Sequence, residues 1–294
     1  MKSGLTGREW TESVQGTGLL VEELGEGEPP VVFSPALFTN RALFDAPFSE
    51  LSHDHRCIRY DHRGQGDSGL GQPQPSHLLG TEGLYGDALA LLDKLGVERC
   101  HWVGASVGGF VGVRLAARHP ERIRSLVLIG FSMRRVPAAD LRTIDVMGAA
   151  LRLSRPLGPI GAWVRGRVTD QVMVNMFGTT FMSDPAREND RELWRRQFMP
   201  TMVPEALPML TAVFGHPGNP PELLAQVQAP VLLVTGEDEI TQLDEAPNDP
   251  LEAQRVLPDA RLLTVPGAGH MVLVEQPEVG TSAITDFIKE VERR

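Results

Sequence analysis

The stretch His101-Trp102-Val103-Gly104-Ala105-Ser106-Val107-Gly108-Gly109-Phe110 decides how the rest of the chain reads. A short apolar run ends at Gly104, a serine follows two residues on, and two glycines open a segment where Val111, Leu115 and Ala116 recur at helical spacing. Gly-x-Ser-x-Gly between a strand and a helix is the pattern of a sharp turn that lifts a serine hydroxyl clear of a sheet. Side chains at 104 and 108 would collide across so tight a bend, which gives both glycines a physical job. Five-residue matches also arise by chance, and the bland alternative is a surface serine in a glycine-rich turn. The strand before it and the helix after it favour the elbow.

Working outward, the flanking segments alternate between two kinds. Residues 14–24, with Gly16 and Gly18 among Val14, Leu19, Leu20, Val21 and Leu24, predict an opening hairpin. Val31-Val32-Phe33, Cys57-Ile58-Arg59-Tyr60, Leu126-Val127-Leu128-Ile129, Val231-Leu232-Leu233-Val234 and Arg261 to Val265 predict short strands, and those of continuous apolar character suit burial on both faces. Between them, 41–51 reads as helix, and Leu84, Ala88, Leu91, Leu92 and Leu95 form an amphipathic helix stopped by Gly96. A helix is predicted near 250–257, and a last one through Val279, Ala283, Ile284, Phe287, Ile288 and Val291. Strands alternating with helices predict an α/β fold with a mainly parallel sheet covered on both faces. The rhythm breaks over 131–220, which reads as short helices broken at Pro156, Pro159, Pro185, Pro200, Pro204 and Pro208. The expected organisation is a core made of 1–130 and 221–294, with 131–220 inserted between two sheet strands as a helical cap.

A serine nucleophile needs a general base and a carboxylate to orient that base. Of eight histidines, His270 has the most telling place, in Pro266-Gly267-Ala268-Gly269-His270 after a strand. His53, His55, His77 and His216 read as surface residues, and His62 and His119 have structural uses beside arginines. The acid is expected in Gly236-Glu237-Asp238-Glu239, where three carboxylates follow a strand. The order Ser, acid, His is the one this kind of elbow uses. Two N–H groups must also receive the developing oxyanion. One is that of Val107, and the other is expected from Ser34-Pro35-Ala36-Leu37-Phe38-Thr39.

These segments together resemble the α/β-hydrolase family, over nearly the whole chain outside 131–220. The resemblance implies that Ser106 is the nucleophile and His270 the base. Arg63-Gly64-Gln65-Gly66-Asp67-Ser68 matches the family's Arg-Gly-x-Gly-x-Ser loop, and the Gly-x-x-acid turn puts Glu239 where the family more often has Asp. Asp238 stays open as an alternative. Relatives usually carry His-Gly at the oxyanion loop, where this chain has Pro35-Ala36; counting back from Phe44 assigns the second N–H to Leu37. The Ser-x-small-Leu loop and the Thr-Gly-Glu-Asp turn are similar to those of 3-oxoadipate enol-lactone hydrolases. Hydrolysis of small carboxylic esters or lactones, without metal or cofactor, is the implied activity. Perhydrolase or C–C bond hydrolysis on the same triad, and ligand binding without catalysis, are its competitors.

Composition agrees with a soluble globular protein: 41% hydrophobic, 22% charged, net charge −10. That charge disfavours nucleic acid and anionic membranes as partners. The first eight residues lack the apolar core of a secretory signal, and no window approaches the ~18 apolar residues of a spanning helix. Cys57 and Cys100 read as buried thiols, which suits a cytoplasmic protein, and the sheet order of the α/β-hydrolase family that the chain resembles implies the Val31–Phe33 strand between them. A small molecule is the expected partner, and the reading leaves room for a homo-oligomer. The 131–220 segment holds eleven Arg and no Lys against eight acids, a basic cap that would draw in an anionic substrate.

Overall fold

The computed structural model describes residues 7–69, 79–133, 138–215, 219–242 and 249–294. Eight strands make one sheet: β1 (Arg8–Val14), β2 (Thr17–Leu24), β3 (Val31–Ser34), β4 (Cys57–Tyr60), β5 (Cys100–Ala105), β6 (Ile123–Ile129), β7 (Val231–Gly236) and β8 (Ala260–Val265). Their order is β1-β2-β4-β3-β5-β6-β7-β8. β2 runs antiparallel to β1 and β4, and every later pairing is parallel. Strands β3, β5 and β7 are buried along their whole length, as mainly apolar strands are when helices cover both faces.

The helices are α1 (Asp45–Leu51), α2 (Thr81–Lys94), α3 (Val107–Arg118), α4 (Ala138–Ser154), α5 (Pro159–Met176), α6 (Thr179–Ser183), α7 (Glu188–Phe198), α8 (Leu207–Phe214), α9 (Pro221–Leu224), α10 (Glu237–Gln242), α11 (Asp249–Val256), α12 (Val272–Glu275) and α13 (Pro277–Glu292). In the core, α1 packs with α13 and α2 with α3. All of α4 to α8 lies between β6 and β7, so the chain leaves the sheet after β6, builds a helical layer and returns. Asn219 ties that exit to that return. Its N–H donates to Met133 O (2.9 Å), its Nδ2 to Ser132 O (2.9 Å), and its Oδ1 accepts from Arg114 Nη1 on α3 (2.9 Å).

Three readings change. The opening hairpin is longer than 14–24, because β1 begins at Arg8; its sequence, Arg-Glu-Trp-Thr-Glu-Ser-Val, has too few apolar residues to announce a strand. The inserted helices are not all short, since α4 has 17 residues and α5 has 18. Pro159 and Pro208 fall in first turns, where a helix loses nothing by the missing N–H. His55 is not a surface residue: it is 5% exposed, with Nε2 3.0 Å from Glu292 Oε1 on α13. His53 is exposed, and His77 and His216 lie outside the described residues. Cys57 on β4 and Cys100 on β5 are buried free thiols separated by β3. Among the described residues no helix is long and apolar enough to cross a membrane.

Candidate active site

Ser106 sits at the point where β5 turns into α3, with φ 49° and ψ −115°. A non-glycine residue there is strained, at a cost of about 1–3 kcal/mol that the surroundings must hold. They hold it closely. Ser106 N–H donates to Ile129 O on β6 (2.7 Å), and Ser106 O accepts from Gly109 N (2.8 Å) and Phe110 N (3.1 Å). A Cβ at Gly104 would lie 2.4 Å from Gly108 C, and one at Gly108 would lie 2.0 Å from Ser34 O. Both positions therefore accept only glycine, for the reason expected. The serine side chain stays partly exposed while Val107 beside it is fully buried.

His270 and Glu239 meet: Nδ1 and Oε1 are 2.6 Å apart. Glu239 lies in the first turn of α10, and its second oxygen accepts from Thr235 Oγ1 (3.3 Å). The same strand end feeds the imidazole loop, because Asp238 N donates to Ala268 O (2.9 Å) and a Cβ at Gly236 would lie 2.1 Å from Ala268 O. Burial pulls the His270 pKa down. The charge of Glu239, its hydrogen bond and the charge of Glu275 push it up, and the net direction is above the ordinary imidazole value. Gly130, with φ 57°, fits against the ring: a Cβ there would lie 2.8 Å from both Nδ1 and Cε1. Ile129 O holds the backbone of Ser106 and the adjacent Gly130 abuts the His270 ring, so the end of β6 touches both segments. Ala105 and His270 also line one cavity, with Ala36, Ile129 and Met271.

The loop after β3 is fixed without the usual His-Gly. His62 is buried, and its Nε2–H donates to Pro35 O (3.0 Å); Ser34 Oγ lies 2.9 Å from Tyr60 Oη. Burial drops the His62 pKa to about 4, so the ring stays neutral. Thr39 closes the loop by donating from Oγ1 to Ala36 O (2.8 Å), and Phe38 turns with φ 66°. Leu37, between them, is buried. Asp61 is fully buried and accepts from Arg41 N (2.7 Å), Arg41 Nη1 (2.7 Å) and Asp67 N (2.9 Å), which folds the 61–68 loop.

Two further acids near His270 do another task. Glu275 is buried, and its carboxylate accepts from Gly269 N (3.0 Å), Met271 N (3.2 Å) and, across the interface, Gly178 N (2.8 Å). Asp238 Oδ2 accepts from Thr179 N and Thr179 Oγ1, both 2.8 Å. The start of α6 is thereby docked on the loops that carry Glu239 and His270. Glu237 is exposed. So of three adjacent carboxylates, one reaches the histidine, one holds the inserted helices and one meets solvent. Sequence reading missed Glu275 and Gly130. The only signal was an acid five residues after the histidine and a glycine ending β6. Among the described residues no group of three His, Cys, Asp or Glu is arranged to hold a metal ion.

The family model for the alpha/beta hydrolase fold matches residues 29–277. The chain is 27% identical over 271 residues to RutD of Pseudomonas savastanoi pv. phaseolicola, named as a carbamate hydrolase, covering 88% of this chain and 93% of that one. It is 24% identical over 281 residues to 3-oxoadipate enol-lactonase 1 of Acinetobacter baylyi, covering 95% and 96%. Among solved structures, the enol-lactonase from Burkholderia xenovorans LB400 superposes with a TM-score of 0.79 at 26% identity, over 95% of this chain and 99% of that one.

Proposed function

Since the chain belongs to the α/β-hydrolase family, and is a hydrolase, we propose that it cleaves small carboxylic esters or lactones through an acyl-enzyme on Ser106. The observation that carries this is the Glu239–His270 pair at 2.6 Å, with Ser106 on its strained turn bonded through its backbone to Ile129, the residue before the Gly130 that abuts the His270 ring. With Nδ1–H donated to Glu239, Nε2 is the nitrogen left to take the serine proton. Ser106 Oγ then adds to the carbonyl carbon, and the tetrahedral oxyanion is received by the N–H groups of Val107 and Leu37. The imidazolium returns its proton to the leaving alkoxide as the C–O bond breaks. Water, deprotonated by the same nitrogen, releases the acid and restores the serine. Glu239 stabilises the imidazolium in both halves, in keeping with the raised His270 pKa.

In this reading 1–130 and 221–294 are the catalytic core and 131–220 the cap that shapes the pocket for a small-molecule substrate. The cap's positive surplus is a weak guide to that substrate. Several cap arginines are paired with acids of the cap itself, as in Arg195–Asp170 (2.6 Å) and Arg187–Asp190 (3.0 Å), so the surplus is not gathered at one site by these pairs. A reducing, cytoplasmic setting suits the two buried thiols. Names of relatives support ester-like and lactone substrates, among them enol-lactonase. The test is a panel of p-nitrophenyl esters and lactones on wild type and Ser106→Ala. We expect the variant to fold and to lose about 10³-fold or more in turnover. Retained turnover in the purified variant contradicts the mechanism.

A further inference from the structure

A second cavity is lined by Leu37 and Phe38 of the loop whose Ala36 lines the cavity beside His270. It is a narrow cleft bounded by Leu37 and Phe38, by Arg63 and Gln65, and by Thr201 and Met209 of the inserted helices. Its polar groups are unusual. Arg63 is 1% exposed and Gln65 is 6% exposed. Arg63 donates from Nε to Asp87 Oδ2 (2.5 Å) and from Nη2 to Asp87 Oδ1, but its Nη1 is buried with no partner among the described residues. Both amide atoms of Gln65, Nε2 and Oε1, are buried and unpartnered in the same way. Buried polar groups are normally satisfied, so three orphans on two residues that line one narrow cleft call for a partner.

We infer that Arg63 Nη1 and the Gln65 amide form a recognition subsite for a neutral secondary amide carried by the substrate beside its scissile ester or lactone. The inference rests on the serine-hydrolase reading and names the substrate class for that site. The chemistry favours an amide over a carboxylate. Asp87 already neutralises the guanidinium through a bidentate pair, so the cleft offers no spare positive charge. A carboxylate would bring an uncompensated negative charge into a buried site and leave Gln65 Oε1 without a donor. An amide C=O accepts from Arg63 Nη1 or Gln65 Nε2, and its N–H donates to Gln65 Oε1. Either orientation of the Gln65 side chain presents one donor and one acceptor, so the match does not depend on it. Leu37, proposed as an oxyanion donor, lines this cleft, which places the subsite next to the reacting carbonyl.

The test uses four p-nitrophenyl esters of matched length: N-acetylglycinate, 4-oxopentanoate, pentanoate and hemisuccinate. Each is measured on wild type and on Gln65→Met, which keeps length and removes the amide, so intrinsic reactivity cancels between enzymes. The expected result is that the N-acetylglycinate to pentanoate ratio of kcat/KM falls by about tenfold or more in the variant, with 4-oxopentanoate between. Tm is expected to hold or rise, because an orphaned polar group has been replaced by an apolar one. An unchanged ratio overturns the inference, as does a lowered Tm with an unchanged ratio, which would make Gln65 a packing residue. A normalised preference for hemisuccinate overturns the choice of a neutral ligand. Gln65→Leu is the second variant if Gln65→Met misfolds. Absence of turnover with all four esters, together with no labelling of wild type by a fluorophosphonate, refutes the hydrolase mechanism beneath it; labelling with no amide preference refutes only the subsite.

Discussion

Replacing Glu239 by Gln removes a charge while keeping shape, and its effect can be worked from the geometry. Glu239 Oε1 stands 2.6 Å from His270 Nδ1. A hydrogen bond to an ionised group contributes about 1.5–3 kcal/mol net. At 1.36 kcal/mol per unit, losing it lowers the imidazole pKa by roughly one to two units. The same energy withheld from the transition state slows the reaction by about ten- to a hundredfold. If the amide NH2 turns toward Nδ1, the ring must take the other tautomer, with Nε2 protonated and useless as a base. That carries the loss toward the roughly 10⁴ known for the corresponding swap in a serine protease. The assay is kcat/KM against pH from 5 to 9 on one p-nitrophenyl ester. Wild type should lose activity as pH falls through a His270 pKa that is raised above 6.5, because only the neutral ring accepts a proton. In Glu239→Gln the plateau should fall about tenfold or more, toward roughly 10⁴ if the tautomer changes, and the acid limb should move to lower pH. A plateau within a factor of a few of wild type, or a larger kcat loss in Asp238→Asn, refutes Glu239 as the orienting acid. Asp238→Asn should instead raise KM, since Asp238 holds Thr179 of the inserted helices.

Glu275→Gln leaves at least one of three buried N–H groups facing an NH2, and should destabilise the fold by about 1–3 kcal/mol in urea unfolding. Faster hydrogen exchange at Gly178, or at Gly269 and Met271, should accompany it; an unchanged midpoint contradicts the clamp. Ser106→Gly should raise stability by about 1 kcal/mol, because glycine relieves φ 49°. Thermal melts that show a loss would mean the turn is not strained. Burial pushes both thiols up to about 12, so Cys57 and Cys100 should resist a thiol reagent at pH 8 and count as two groups after denaturation. Fast native reaction would contradict their placement in the sheet.

Much of this was legible in the sequence because the informative residues act locally. Gly104 and Gly108 are dictated by one turn, and Gly-x-Gly before His270 by one loop, so a short window carries the whole constraint. The fourth place of the Gly-x-x-acid turn that starts at Gly236, the last residue of β7, likewise pointed to Glu239. What stayed hidden depends on contacts between distant segments. Glu275 looks like any helical acid until Gly178, 97 residues away, is seen to donate to it. His55 sits in a polar run, His-Asp-His-Arg, and is buried against His101 of β5 and Glu292 of α13, both far away in sequence. The roles of Glu237, Asp238 and Glu239 differ by which neighbour each meets, and adjacency in sequence says nothing about that. The lengths of α4 and α5 were masked by prolines outside their interiors, Pro156 beyond the end of α4 and Pro159 at the first position of α5.

The central claim is that Ser106 is an activated nucleophile, and covalent labelling tests it most directly. Purified protein is treated with a fluorophosphonate, digested, and the modified peptide is sequenced by mass spectrometry. We expect a single phosphonyl adduct on Ser106, formed quickly in wild type, much more slowly in Glu239→Gln and not at all in Ser106→Ala. An unlabelled wild type, or an adduct on another residue that persists in Ser106→Ala, would contradict it.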